Sequence, residues 1–329
     1  MPRPRILIVS PASARENNGN WQTASRWQRF LRTRHDVRIA PGWQDGDPVP
    51  DLLIALHARR SAPALASLRA AHPDKPALLV LTGTDLYRDI HEDATARASL
   101  GRADALVVLQ PDGLAQLDPA QRARARVIYQ SAPRLRPWRG RAVHVDVAMI
   151  GHLRSEKDPL TFMRAALTIA VPGVRLLHIG GALDPQLADA ARATELATPR
   201  YRWLGALPHL PARRRLRRCH AMVIASHMEG GANVIIEAVT SGVPVLASQI
   251  GGNVGMLGED YAGYFPAGDA AALARLIERS ALDARFHARL RRQCAARAHL
   301  FAPEAERAAV LDLVDNLLLA EYPDNRNRP

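Results

Sequence analysis

Apolar residues fall in short blocks rich in Val, Ile, Leu and Ala. The stretches between them repeat apolar positions every three or four residues. Blocks of this kind read as strands buried on both faces, and the intervening stretches as amphipathic helices. Their alternation predicts βαβ units and parallel sheets, an α/β fold class. Strands are expected at 5–10, 37–40, 51–57, 77–82, 105–110 and 125–130. A loop at 11–20 leads into a helix at 21–32, and another helix covers 61–71. Residues 1–131 thus read as one doubly wound, Rossmann-like domain. Residues 132–144 carry prolines and arginines without periodicity and read as a linker. The rhythm then restarts over 145–305. Strands are expected at 145–151, 174–180, 201–205, 221–225 and 243–248. Helices are expected at 159–170, 185–194, 211–219, 233–240, 270–280 and 283–299. A final helix from 303 to 319 and a polar end close the chain, and 306–329 is set apart as a C-terminal helix and tail.

Two doubly wound domains joined by one linker are expected to face a central cleft. In open α/β sheets, ligands bind outside the carboxyl ends of the strands. The loops after strands are therefore where chemistry should be sought.

Composition narrows the class. The chain has 329 residues, enough for two domains, and 47% hydrophobic residues, enough to fill two cores. Its apolar runs are far shorter than the ~18 residues a membrane helix needs. The start, Ile6 to Val9 after a short basic stretch, is too brief for a signal peptide, so a cytoplasmic protein is expected. Cys219 and Cys294 belong to no paired motif and read as ordinary thiols. Net charge is +12, but the arginines are spread along the chain with no aromatic-interleaved stripe. That argues against nucleic acid or a membrane as partner and for anionic small molecules. Of 44 basic residues, only Lys75 and Lys157 are lysine. A lysine kept in such a background suggests a site that needs a compact, rotatable ammonium.

Two segments of the second half carry the densest signal. In the first, 226–238, a strand ends, Gly230 and Gly231 follow, and a helix opens near Asn233 after Ala232. A helix N-terminus approached through glycines suits a diphosphate. Glu229 and Glu237 flank the turn and can accept hydrogen bonds from sugar and ribose hydroxyls. A capped helix with Glu237 on its solvent face fits the same letters. In the second, 151–159, Arg154 and Lys157 lie in the loop after a strand, and Pro159 opens the next helix. Both cations can reach phosphate oxygens there. His152, His209 and His227 lie on neighbouring loops, and His227 is the one expected to reach a ligand.

Together, Gly-x-Leu-x-x-Glu-Lys at 151–157 and Glu-x7-Glu-Ala at 229–238 resemble the nucleotide-sugar half of family-4-type retaining glycosyltransferases of the GT-B fold. The resemblance implies a UDP-sugar donor in the second domain and an acceptor in the first. It implies that Arg154 and Lys157 hold the diphosphate, Glu229 the donor sugar and Glu237 the ribose. Arg154, Lys157 and Glu229 are then the catalytic set. Gly252, in the glycine pair after the strand ending at 248, matches a loop that backs the sugar and phosphates. The run from Gly230 to Asn233 departs from the family's usual Phe-Gly, and Asn233 adds a side chain there. The family implies no metal and no cofactor beyond the co-substrate. Asp45 and Asp47 form a DxD string, but in a Gly/Pro-rich turn before a strand, so no metal site is assigned.

The first half offers Gly19 and Asn20 within an Asn-Gly-Asn turn, His57 after the third strand, and Thr82, Gly83 and Thr84 after the fourth. These suit a small tetrahedral oxyanion, with His57 and Asp85 the only acid–base groups in view. Capping turns and a strand-end histidine account for the same residues in a structural role. With the short chain, the set resembles the selenosugar synthases of selenoneine biosynthesis. That resemblance implies transfer from a UDP-N-acetylhexosamine, UDP-GlcNAc above others, to selenophosphate, giving a 1-seleno-sugar, UDP and phosphate. The competing readings are an O-glycosyltransferase with a carbohydrate or lipid acceptor and a non-catalytic UDP-sugar binder.

Overall fold

The computed structural model describes residues 3–13, 19–136, 138, 140 and 143–321. Contacts divide the chain into two compact units, Met1–Gln130 with Pro303–Pro329, and Ser131–Ala302.

The first unit holds a parallel sheet of β1 (Arg5–Val9), β2 (Asp36–Ala40), β3 (Leu52–Leu56), β4 (Ala77–Leu81), β5 (Ala105–Val108) and β6 (Ala125–Val127). Their order is β2-β1-β3-β4-β5-β6. β3 and β4 are buried along their whole length, as continuous apolar runs require when helices cover both faces. One face packs Ala24, Trp27 and Leu31 of the helix Gly19–Leu31 with Val310, Leu311 and Val314 of the helix Pro303–Glu321. The other face packs Leu65 and Leu68 of Ala62–Ala71 with Ala96 and Leu100 of Ala94–Arg102. The terminal helix, expected as a separate closing piece, thus completes a layer of the first unit. The segment from Asp85 to Arg102, to which no element was assigned in sequence, forms a π-helical turn at Asp85–Asp89 and two short helices.

The second unit holds β7 (Val145–Ile150), β8 (Val174–Ile179), β9 (Tyr201–Trp203), β10 (Ala221–Ile224), β11 (Val245–Ser248) and β12 (Tyr264–Phe265). All pairings are parallel, in the order β12-β11-β10-β7-β8-β9. The two-residue β12 carries too little pattern to be seen in sequence. Gly251 and Gly252, expected as a loop, open the helix Gly251–Leu257. Among the described residues no helix is long and apolar enough to cross a membrane. Asn17, Asn18 and the polar end 322–329 lie outside the described residues, as does part of the expected linker.

The strand orders locate the crevices. In the first sheet the winding reverses between β1 and β3, and in the second between β7 and β10. Ligand crevices open at such reversals. Lys157 follows β7 and Glu229 follows β10, so the two strongest motifs share one switch point.

Candidate active site

The loop after β7 is shaped by its own residues. Arg154 is exposed and extended, and Ser155–Lys157 make one 3-10 turn. Asp158 then takes a left-handed conformation, φ 44°, and its carboxylate accepts from the backbone N–H of Thr161 at 3.2 Å. Pro159 occupies the first helical position, where its missing N–H costs nothing. Buried His178 braces the loop from β8. One ring nitrogen contacts the Gly151 carbonyl at 3.2 Å and the other the Tyr201 hydroxyl at 2.9 Å. Burial pulls its pKa to about 4, so the ring is a neutral strut.

From that loop Lys157 Nζ donates to Glu229 Oε1. Ser226 Oγ donates to the same oxygen at 2.6 Å. Both bonds fall on Oε1, and Oε2 keeps its acceptor capacity. The Glu229 and Lys157 side chains are 9% and 17% exposed, so the pair is mostly withdrawn from water. The Glu229 loop is fixed from behind. Ser248 Oγ donates to the Ser226 carbonyl at 2.6 Å, and Asn253 Nδ2 donates to the Ser248 carbonyl at 2.9 Å. Gly252 packs directly beneath, where a Cβ would lie 1.9 Å from the Glu229 carbonyl oxygen. Only glycine fits that approach. Ser226, Ser248 and Asn253 were not singled out in sequence, because small polar residues at strand ends and helix starts carry no distinguishing signal.

Gly230 and Gly231 connect this loop to the helix Asn233–Thr240, entered at Ala232 without a side-chain cap. Its first N–H groups therefore have no side-chain acceptor. Glu237 lies on the same helix and is 8% exposed, which removes it from the solvent face. His209 Nε2 meets Glu237 Oε1 at 2.6 Å, and buried Arg213 lies in its field. His227 lies beside the other loop. Its backbone N–H reaches the Glu156 carbonyl at 3.0 Å, and its half-exposed ring lies 3.4 Å from Asp158. The histidine joined to a carboxylate of the motif is thus His209.

In the first unit, the loops after β3 and β4 lock together through Asp85, which is fully buried. Its Oδ1 accepts from the backbone N–H of Thr82 at 2.9 Å and of Gly83 at 2.8 Å, and its Oδ2 from that of Ala58 at 2.9 Å. With both oxygens engaged by backbone N–H groups and no solvent contact, Asp85 positions the loops. Gly83 sits at φ 149°, a conformation costly for any side chain. His57 has φ 77°, outside the range most side chains tolerate. Its Nδ1 accepts from the Arg60 N–H at 3.4 Å, which leaves Nε2 to donate to Thr84 Oγ1 at 3.2 Å. Burial lowers the His57 pKa against the raising field of Asp85, so the ring is held neutral. The Thr84 hydroxyl, already accepting, retains its own proton for an oxyanion. Arg59 Nε lies 2.9 Å from Asp89 Oδ2 beside this cluster. Gly19 and Asn20 begin the helix after β1, the strand next to β3. Among the described residues no group of three or more His, Cys, Asp or Glu is arranged to hold a metal ion.

The second unit matches a known family. Residues 144–299 fit the family model for glycosyl transferases group 1. Solved structures extend the likeness over the chain. A sucrose-phosphate synthase from Thermosynechococcus elongatus aligns with TM-score 0.80 at 20% identity, covering 97% of this chain and all of that one. HepE from Anabaena, in complex with UDP and glucose, aligns with TM-score 0.74 at 17% identity, covering 95% of this chain and 100% of that chain. A glycosyltransferase from Rickettsia africae aligns with TM-score 0.74 at 14% identity, over 96% and 99% of the two chains. The fold is GT-B. At these identities the structural likeness establishes architecture. The site residues rest on the geometry above.

Proposed function

We propose that this chain is a glycosyltransferase that takes an N-acetylhexosamine from UDP and delivers it to selenophosphate. The observation that carries the donor half is the Lys157–Glu229–Ser226 cluster at the switch point of the second sheet. Beside it stands the uncapped N-terminus of Asn233–Thr240. A buried carboxylate with one oxygen pinned and one available suits sugar hydroxyls. Arg154, Lys157 and the helix N-terminus suit a departing diphosphate. HepE, an architectural relative, binds UDP.

The acceptor half rests on the first unit's compact polar cluster and on the resemblance to selenosugar synthases. Thr84, with its hydroxyl proton free, and Arg59 and Arg60 nearby offer donors to a small oxyanion. Selenophosphate arrives already anionic and needs no strong base, in keeping with a neutral His57 and a fully engaged Asp85. In the proposed reaction, selenium forms a bond to C1 as the C1–O bond to UDP breaks, and UDP leaves with that electron pair. Water then cleaves the P–Se bond, giving phosphate and the 1-seleno-sugar. The reaction is taken to be cytoplasmic and metal-independent.

The test is mass spectrometry of purified protein with UDP-N-acetylglucosamine and selenophosphate, omitting each in turn, with EDTA present. A hexosamine product carrying the selenium isotope pattern, dependent on both substrates, is expected. UDP release without selenium product would replace selenophosphate by a carbohydrate or lipid acceptor. UDP binding without release would leave a non-catalytic UDP-sugar binder. Thr84→Ala should raise the KM for selenophosphate about tenfold, as loss of one hydrogen bond to a charged group does, and leave UDP affinity unchanged. Equal loss of both affinities would remove the assignment of the first unit to the acceptor.

A further inference from the structure

The second sheet has another polar opening, at the amino edge of its strands. Residues at the starts of β7, β10 and β11 border a cavity of about 500 Å³, within the range of small-molecule sites. Arg217, Arg218 and Arg291 line it, together with His220, His287 and Ser241, and no Asp or Glu is among its described lining residues. Helix termini explain only part of this charge. Arg217 follows the helix His209–Leu216, where exposed carbonyls favour a cation. Arg291 lies in the middle of Ala284–Arg297 and has no such reason to be there.

The histidines do not supply the charge. Their rings stack at 3.9 Å, with His220 Nε2 on the Ser280 carbonyl and His287 Nε2 on the His220 carbonyl. Burial keeps both rings neutral near pH 7. They form a flat wall, and the arginines carry the field.

Two atoms of the lining residues are also left without a partner. Ser241 is 5% exposed, and its Oγ has no hydrogen-bond partner. Arg217 Nη1 donates to the Arg136 carbonyl at 3.0 Å, while its buried Nε has no partner. Orphaned donors beside a cavity are costly unless something accepts from them. Clustered guanidinium groups with no carboxylate repel one another until an anion enters.

We propose that this cavity is a second anion site, taking a small phosphate-bearing molecule, on the edge of the sheet opposite Lys157 and Glu229. It does not depend on the reading of the donor site. The probe is inorganic pyrophosphate, titrated calorimetrically into four proteins. These are the wild type, Arg154→Ala, the double variant Arg218→Glu/Arg291→Glu, and Arg164→Glu/Arg285→Glu, which matches the charge change with exposed residues outside the cavity lining. Binding should survive in Arg154→Ala and in the charge-matched control, and weaken about tenfold or more in the cavity double variant. Ser241→Ala should melt at or above the wild-type temperature without ligand and still bind pyrophosphate more weakly. No binding in the wild type would overturn the proposal. So would equal binding in the two double variants, or loss confined to Arg154→Ala.

Discussion

Lys157→Ala should lower kcat/KM for the UDP-sugar by about 100- to 1000-fold, the scale on which one preorganised donor to a developing negative charge acts. The effect has two sources. A compact ammonium is lost where the diphosphate charge grows on departure. The Glu229 carboxylate, 9% exposed, is also left with only the Ser226 hydroxyl on its Oε1. A buried charge stripped of its partner costs about 3–5 kcal/mol, so the melting temperature should fall with the rate. Adding Glu229→Gln removes the stranded charge and should restore stability without restoring turnover. Lys157→Arg should keep the fold and still lose about 10- to 100-fold in turnover, because a planar, wider guanidinium does not substitute for a point charge in an enclosed position. Steady-state kinetics, UDP titration and thermal melts on the four proteins decide this. Wild-type kinetics in Lys157→Ala would remove lysine from the donor site, and full activity in Lys157→Arg would remove the argument from lysine scarcity.

That argument shows which parts of the site were legible in sequence. Lys157 and Glu229 stood out singly, one as a rare residue type and one beside a glycine pair. The resemblance put them in one site, but their direct contact was not legible, because they are 72 positions apart and meet only when β7 and β10 become neighbours. The strands themselves were readable. Leu52–Leu56 and Ala77–Leu81 are continuous apolar runs, the pattern of strands covered on both sides. The supporting shell was not. Ser248 and Asn253 hold the Glu229 loop through bonds to backbone atoms, and such bonds can be made by small polar residues at many positions. His57 was visible as a strand-end histidine, but its φ of 77° is imposed by tertiary contacts. Asp85 grips the next residue's N–H from another loop, and no local pattern announces that. The same contact gives Asp85, seen in sequence only as an acid–base group, a positioning role. The contact of His209 with Glu237 was not legible, since nearness to Glu229 along the chain favoured His227 and says nothing about which histidine meets Glu237. The helix bearing Glu237 presents that carboxylate to His209 across the fold.

Glu306→Ala should destabilise the first unit by about 3–5 kcal/mol, the usual cost of removing one member of a buried ion pair. Glu306 lies in the first turn of the last helix. Its side chain is fully buried, with Oε2 2.7 Å from Arg26 Nε and Oε1 2.8 Å from Trp27 Nε1. Both donors lie on the helix Gly19–Leu31, some 280 positions earlier. Apolar packing of Trp27 and Leu31 against Val310 and Val314 on the same sheet face supplies affinity, and the carboxylate fixes register. Truncation leaves a guanidinium and an indole N–H buried together without that acceptor. For a unit of this size the loss corresponds to roughly 6–20 °C in melting temperature. Glu306→Gln keeps an acceptor for Trp27 and should lose less than half as much. The clamp also bears on function, since the helix it holds begins at Gly19 and Asn20, residues assigned to the acceptor. Below its melting temperature, Glu306→Ala should therefore raise the KM for the acceptor while UDP affinity, which the proposed function assigns to the second unit, stays as in the wild type. A melting temperature within about 2 °C of wild type, less than 1 kcal/mol on the same scale, would show that apolar packing alone holds the terminal helix and that the buried pair adds nothing.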